Sequence, residues 1–279
     1  MRGLPVRAFL AAASLALAAA PAALADTSDS ANWAGYAVHG TGVSFAQVTA
    51  QWRQPTARCV PGGATYSAAW IGLGGFNEAS RSLEQVGTEL DCGIAGRVLS
   101  SAWFEVVPAP ARTVRLSVRP GDLVAAKVTV SGTEVTVTLS DQTQHRSFTR
   151  SMDAPTVDVS SAEWIVEAPS DCISPSSCQL LPLADFGATT FRFAQAVSTA
   201  GVHGSITTPV WGVTRIRLRP AVTRFSAFDH PLQGAATPLA LTAGGSSFQV
   251  VYSRTSGPSA PMLVGREFLP SAAPRAAIH

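Results

Sequence analysis

Beyond its first 25 residues the chain reads as all-β, an antiparallel sandwich or barrel, and three observations carry that reading. Short stretches in which β-branched or aromatic residues alternate with polar ones recur along the whole length. Gly, Pro, Asp and Ser turns separate them at short intervals. No stretch after Asp26 carries a 3.6-residue apolar period. Taken in order, the candidate strands lie near 33–38, 46–53, 66–73, 82–88, 98–107, 112–119, 122–131, 134–140 and 146–152. The series continues near 160–168, 189–197, 203–210, 212–219, 222–227 and 246–253.

Residues 1–25 do not belong to that pattern. Arg2 and Arg7 precede an apolar run from Ala8 to about Ala20, and Ala23-Leu24-Ala25 supplies small residues for cleavage, the layout of a secretory signal peptide. The expected product is a secreted, extracellular protein starting near Asp26, with no membrane anchor because the apolar run is short and Ala-rich. With no linker, repeat or composition break, residues 26–253 form one expected domain, and 254–279 a Pro/Ser/Ala-rich tail. Removing Arg2 and Arg7 brings 20 basic residues to 18, against 18 acidic ones, so net charge gives no support for a polyanionic partner. Arg215, Arg217 and Arg219 alternate on one strand face, and without interleaved aromatics they read as a solvated face rather than a nucleic-acid patch.

Four cysteines in an exported chain suggest two disulfides, with three possible pairings. Cys172 and Cys178 bracket the turn-forming run Ile-Ser-Pro-Ser-Ser, which a local bridge would pin directly after the preceding strand; Cys59 and Cys92 remain for the second. Neither pair has zinc-ligand spacing, so no metal is expected.

The most informative strand is Ser161-Ala162-Glu163-Trp164-Ile165-Val166-Glu167. Alternation places Glu163, Ile165 and Glu167 on one face and Ala162, Trp164 and Val166 on the other. Acidic residues are depleted in strands, and a carboxylate among Trp, Ile and Val is generally paired or used. A solvated face of an antiparallel strand would also account for the pattern. The usual hydrolase signatures, Gly-x-Ser-x-Gly, His-Glu-x-x-His and Cys-Gly-Ser-Cys-Trp among them, are absent.

Six motifs occur in order: Asn32-Trp33-Ala34-Gly35, Trp70-Ile71-Gly72, Gln85-Val86-Gly87, Ala102-Trp103-Phe104-Glu105, Ala162-Glu163-Trp164-Ile165-Val166-Glu167 and Leu183-Ala184-Asp185-Phe186. Together they resemble the successive motifs of the glutamic peptidases, or eqolisins, over about residues 30–253. The resemblance implies a concanavalin-like jelly roll of two large antiparallel sheets, with a substrate cleft on the concave face of one. It also implies an endopeptidase acting on polypeptides with a Gln/Glu dyad, here Gln85 and Glu167, and no cofactor. Trp33, Trp70 and Glu105 match cleft positions of that family. The chain departs from the family pattern at Gly74 and Ser101, where Asp is usual, and at Val106-Val107, where aromatics are common, so fewer acids and aromatics are expected in the cleft.

The chemistry stands apart from the name. A carboxylate can take a proton from a water attacking the scissile carbonyl and return it to the leaving amine, work that contributes ~10²- to 10⁴-fold. Glu167 suits that task, at acidic pH, with Glu163 and Glu105 as neighbouring protonated carboxyls. An amide such as Gln85 is no base, but its N–H can hold the oxyanion, a contact worth about 3 to 4 kcal/mol in comparable sites. These roles place Gln85 and Glu167 on neighbouring strands facing one cleft of a monomer. Two rival readings share the strand. A jelly-roll glycoside hydrolase could use Glu163 and Glu167, although Ile165 stands where such enzymes carry an Asp. A lectin-like module would need the cleft aromatics and neither Gln85 nor Glu167.

Overall fold

The computed structural model describes residues 25–77, 79–174, 177–219 and 234–254. The signal segment up to residue 24, the strand expected near 222–227 and the tail from 255 lie outside the described residues. The strands are β1 (Asp26–Ser30), β2 (Trp33–His39), β3 (Phe45–Arg53), β4 (Thr65–Leu73), β5 (Glu84–Cys92), β6 (Val98–Val106), β7 (Arg112–Val114), β8 (Leu123–Ser131) and β9 (Glu134–Asp141). They continue with β10 (Arg146–Asp153), β11 (Ser161–Glu167), β12 (Ser170–Ser174), β13 (Ser177–Leu180), β14 (Ala188–Ser198), β15 (His203–Ser205), β16 (Gly212–Leu218), β17 (Gly234–Pro238) and β18 (Phe248–Arg254). No helix occurs among the described residues.

The architecture is the expected β-sandwich, with one refinement. The strands follow a single hydrogen-bonded path, β10-β9-β8-β3-β14-β18-β17-β16-β2-β11-β4-β5-β6-β7, with β1 beside β16 and β15 beside β14. The two layers meet within β14. Its residues Ala188–Phe191 pair with β18 in one layer, Arg192 and Gln195–Ser198 pair with β3 in the other, and the β3 register breaks between Arg192 and Gln195. Phe193 sits in that break at φ 51°, a bulge that bends the strand just after it has passed from one layer to the other.

Alternation fills the space between the layers. Ala162, Trp164 and Val166 of β11, Ile71 and Leu73 of β4, Val86 and Leu90 of β5 and Val48, Ala50 and Trp52 of β3 belong to one buried cluster. Two tryptophans tie the layers together with polar contacts as well. Trp164 Nε1 donates to Thr49 O at 2.9 Å, and Trp52 Nε1 donates to Thr88 Oγ1 at 3.0 Å. Each fully buried indole thus keeps its N–H satisfied while removing a large apolar area from water.

Four strands have no counterpart in the sequence reading, and two are shorter than it expects. β1 (Asp-Thr-Ser-Asp-Ser) is polar and acidic and looks like a turn, yet it pairs in parallel with β16. β17 is built from small residues ending in Pro, and β12 and β13 form a hairpin closed by the Cys172–Cys178 disulfide; Cys59–Cys92 is the second bridge. The strands expected at 112–119 and 203–210 extend only over Arg112–Val114 and His203–Ser205. The arginine strip is not the solvated face expected. Arg217 pairs with Asp29 at 2.7 Å, Arg215 donates to Pro238 O, and all three arginines are only partly exposed, because β1 and β17 flank β16.

Replacing Thr88 by Val keeps the side-chain shape but leaves the buried Trp52 N–H without its acceptor, an omission that costs about 1–3 kcal/mol. Urea unfolding should show that loss with an unchanged m-value; unaltered stability would mean that the inter-layer bond contributes nothing.

Candidate active site

Strands β2, β11, β4, β5 and β6 lie side by side, and their faces turned away from the core carry the candidate residues in rows set by the register. One row runs Ala37, Glu163, Gly72, Gln85, Glu105. The next runs Gly35, Ile165, Trp70, Gly87, Trp103, and a third runs Trp33, Glu167, Ala68, Glu89, Ser101. Gln85 and Glu167 therefore share a face, but they are not on neighbouring strands. β4 lies between them, because β4 and β5 form a hairpin while β11 returns from the other layer to insert between β2 and β4.

Trp33, Trp70, Trp103 and Ile165 form a second apolar cluster on this outer face, so these tryptophans belong to the site side and not to the inter-layer core. Trp33 and Trp70 meet edge to face at 5.0 Å. Glycine makes room for them. A Cβ on Gly87 would lie 2.4 Å from Ala69 O and 2.5 Å from Trp70 Cβ, and one on Gly35 would lie 1.9 Å from Trp164 O. No other residue fits at either position.

Glu167 sits at the centre of this arrangement. Trp70 Nε1 donates to its Oε2 at 2.7 Å and Asn32 Nδ2 to its Oε1 at 3.0 Å. Although side chains crowd around it, the residue keeps a partly exposed surface. Burial pushes its pKa up to about 7; the Trp70, Trp33 and Asn32 donors oppose the rise and the Glu89 charge adds to it. Trp33 Nε1 itself forms no hydrogen bond of good geometry, and Trp103 Nε1 is likewise a buried donor without a partner.

Gln85 is buried and donates through Nε2 to Glu105 Oε2 at 2.6 Å, leaving its own Oε1 unpartnered. Glu105 is pushed up to about 8, first by burial and then by the charge of Glu167, with the Gln85 bond acting against both. The two halves of the site are thus in electrostatic contact.

Glu163 shares the face and the Gln85 row, but it is completely buried and neither of its oxygens forms a hydrogen bond of good geometry. Burial raises its pKa well above the carboxylate range, the Ser161 hydroxyl counters this, and Asp158 and Glu84 add to it. Glu84 is also fully buried and pushed up to about 8, chiefly by desolvation. For Asp158 burial works upward too, but bonds from Ser80, Ser160 and Gly75 outweigh it and hold the pKa below its usual value.

The face is less depleted of acids than the sequence suggested. Gly74, at φ 80°, has no side chain because Asp158 fills the space: a Cβ there would lie 2.5 Å from the Asp158 Cβ. Ser101 donates to Glu89 at 2.8 Å. Asp158, Glu84 and Glu89 were not singled out by sequence, and neither was the contact of Asn32 with Glu167. Asn32 stood inside a quoted motif, which was the available signal.

A sandwich whose outer face gathers a partly exposed carboxylate, an amide and the proton-retaining carboxyls of Glu105 and Glu163 fits the class of all-β hydrolases. The chain belongs to the Peptidase A4 family, whose pattern matches residues 31–221, and it is a glutamic endopeptidase of the eqolisin group. No curated protein matches it. Among solved structures it is similar to scytalido-glutamic peptidase with a transition-state analogue inhibitor, at 22% identity and a TM-score of 0.61, covering 80% of this chain and 98% of that one. It is also similar to SCP-B, an eqolisin in complex with the tripeptide Ala-Ile-His, at 22% identity and a TM-score of 0.57 with the same coverage. Both likenesses bear on the fold.

Glu84, Glu105, Glu163 and Glu167 all have folded-state pKa values above the unfolded value of 4.5. Each keeps its proton in the folded protein where the unfolded chain has already lost it, so the stabilisation is complete below about 4.5; for Glu84, Glu105 and Glu167 it is lost as pH rises toward about 7 to 8, and Glu163 adds a loss of the same sign. Thermal unfolding across that range should give a Tm that falls with rising pH. Glu84→Gln and Glu163→Gln should flatten the slope, and a Tm that climbs from acid to neutral pH would refute the account.

Proposed function

We propose that this protein is a secreted endopeptidase in which Glu167 is the general base and Gln85 stabilises the oxyanion. The observation that carries the reading is the Glu167 carboxylate, partly exposed yet held by Trp70 and Asn32 on the face that also bears Gln85. A water lodged against Glu167 loses its proton to the carboxylate as its oxygen attacks the scissile carbonyl. The carbonyl becomes an oxyanion, and the Gln85 amide, one hydrogen committed to Glu105, offers its second hydrogen to that oxygen. Glu167 then gives the proton to the departing amine. Glu105 fixes the Gln85 amide so that its second hydrogen stays directed at the oxyanion.

The raised pKa of Glu167 supports a working pH above strong acid. As a base Glu167 must be ionised, and burial lifts its pKa to about 7, so activity should rise as pH climbs through that region rather than peak in strong acid. The glycosidase reading loses support because Glu163 is completely buried and cannot flank a sugar linkage together with Glu167. We further assign the working unit to a single domain over residues 26–253, released from a signal peptide near Asp26.

Glu167→Gln keeps the shape and removes the proton acceptor, so cleavage of an unfolded protein should fall by at least ~10³-fold while peptide binding largely survives. Gln85→Ala should cost ~10²- to 10³-fold, and the double variant less than the product of the two. Glu163→Gln should cost far less. An active Glu167→Gln protein would overturn the assignment, and kcat/KM that falls between pH 5 and about 7 would overturn the role of Glu167 as base.

A further inference from the structure

We infer that Ser30 and Asn32 are positioning residues for Glu167: the Ser30 hydroxyl fixes the orientation of the Asn32 amide, so that the amide always presents its NH₂ to the Glu167 carboxylate. This deepens the reading of Glu167 as general base and rests on it.

The hydrogen-bond inventory of Ser30 leaves one arrangement. Its Oγ lies 3.3 Å from Asn32 N and 3.1 Å from Trp33 N, and both backbone groups can only donate. Two donors occupy the two lone pairs of the hydroxyl, so its own proton must go to an acceptor. That acceptor is Asn32 Oδ1, at 3.1 Å. With the amide oxygen turned toward Ser30, Nδ2 faces Glu167 Oε1 at 3.0 Å. The flipped amide would place its oxygen against a carboxylate oxygen and its NH₂ against the committed Ser30. Ser30 and Asn32 are 4% and 2% exposed, so water does not stand in for either partner.

The backbone holds this relay at both ends. Asn32 O accepts from Ala168 N at 2.8 Å, which ties it to the residue following Glu167. Ser30 ends β1, in register with Leu218 of β16; Arg219 N donates to Ser30 O at 2.8 Å, and Asp29 pairs with Arg217 at 2.7 Å. A segment that looks like a polar leader is thereby the anchor of a contact to the reacting carboxylate.

A donor aimed at a carboxylate favours its charged form. The groups bearing on Glu167 are the Trp33 and Trp70 indoles from β2 and β4, Glu89 from β5 and Glu105 from β6. Asn32 supplies a donor that none of these replaces. Loss of the relay should leave Glu167 in place but harder to ionise.

The test is a carbon-13 NMR titration of glutamate-labelled protein, with the Glu167 carboxyl assigned by its disappearance in Glu167→Gln, run beside pH profiles of kcat/KM. Ser30→Ala and Asn32→Ala should each raise the Glu167 pKa by about one unit. The ascending limb of the profile should move with it, and kcat should fall more than KM rises. Ser30→Thr, which keeps the hydroxyl, should restore the parent values. Ser30→Ala deletes a single oxygen and decides the matter alone if Asn32→Ala does not fold. An unchanged Glu167 pKa in folded Ser30→Ala would overturn the proposal. The titration reads the relay even in a protein that cleaves no peptide, so failure of the peptidase reading and failure of the relay give different results.

Discussion

A carboxylate can stand among indole rings only where donors and some solvent offset the loss of water, and the surroundings of Glu167 follow from that requirement. Trp70 supplies one donor and fits because Gly87 beside it has no side chain. Asn32 supplies another, and its position depends on a short parallel strand laid along β16. The inward face of the same seven residues buries Trp164 against the opposite layer, whose own Trp52 reaches back to β5. The strand that carries Glu167 is therefore fixed from both sides, by apolar packing within and hydrogen bonds without.

The departures from the family pattern also have a physical account. The side chain missing at Gly74 is replaced in space by Asp158, which arrives from the segment ahead of β11 and takes bonds from Gly75, Ser80 and Ser160. At Ser101 a hydroxyl faces Glu89 where a second acid would have met it. Negative charge on this face has been redistributed among segments instead of being lost.

Period-two alternation made most of the fold legible, since it depends only on local sequence: β11, β4, β6, β8 and β9 fall where the pattern places them, and Glu163 and Glu167 do share a face. Alternation is silent about which strands become neighbours. For that reason β4 between Gln85 and Glu167 was not foreseen, and neither was the fold-over of the two layers inside β14. Local propensity failed for β1 and β17, whose polar or small residues are extended only because β16 and β18 lie alongside them. The Asn32 contact spans 135 residues, and nothing near Asn32 in the sequence points to Glu167. Ion pairing was equally hidden: the arginine strip looked solvated because Asp29 sits 188 residues away.

Four carboxyls retained as neutral acids inside one sheet have a further consequence. In the proposed mechanism the proton that Glu167 releases to act as a base is one of the protons whose retention favours the folded chain, and burial holds Glu84 and Glu105 protonated beside it. Under the proposed mechanism, moving from acid toward neutrality switches the enzyme on and lowers its stability in the same step. Acid would store it intact and idle; neutral surroundings would give it a limited period of work, a clock written into the sheet itself.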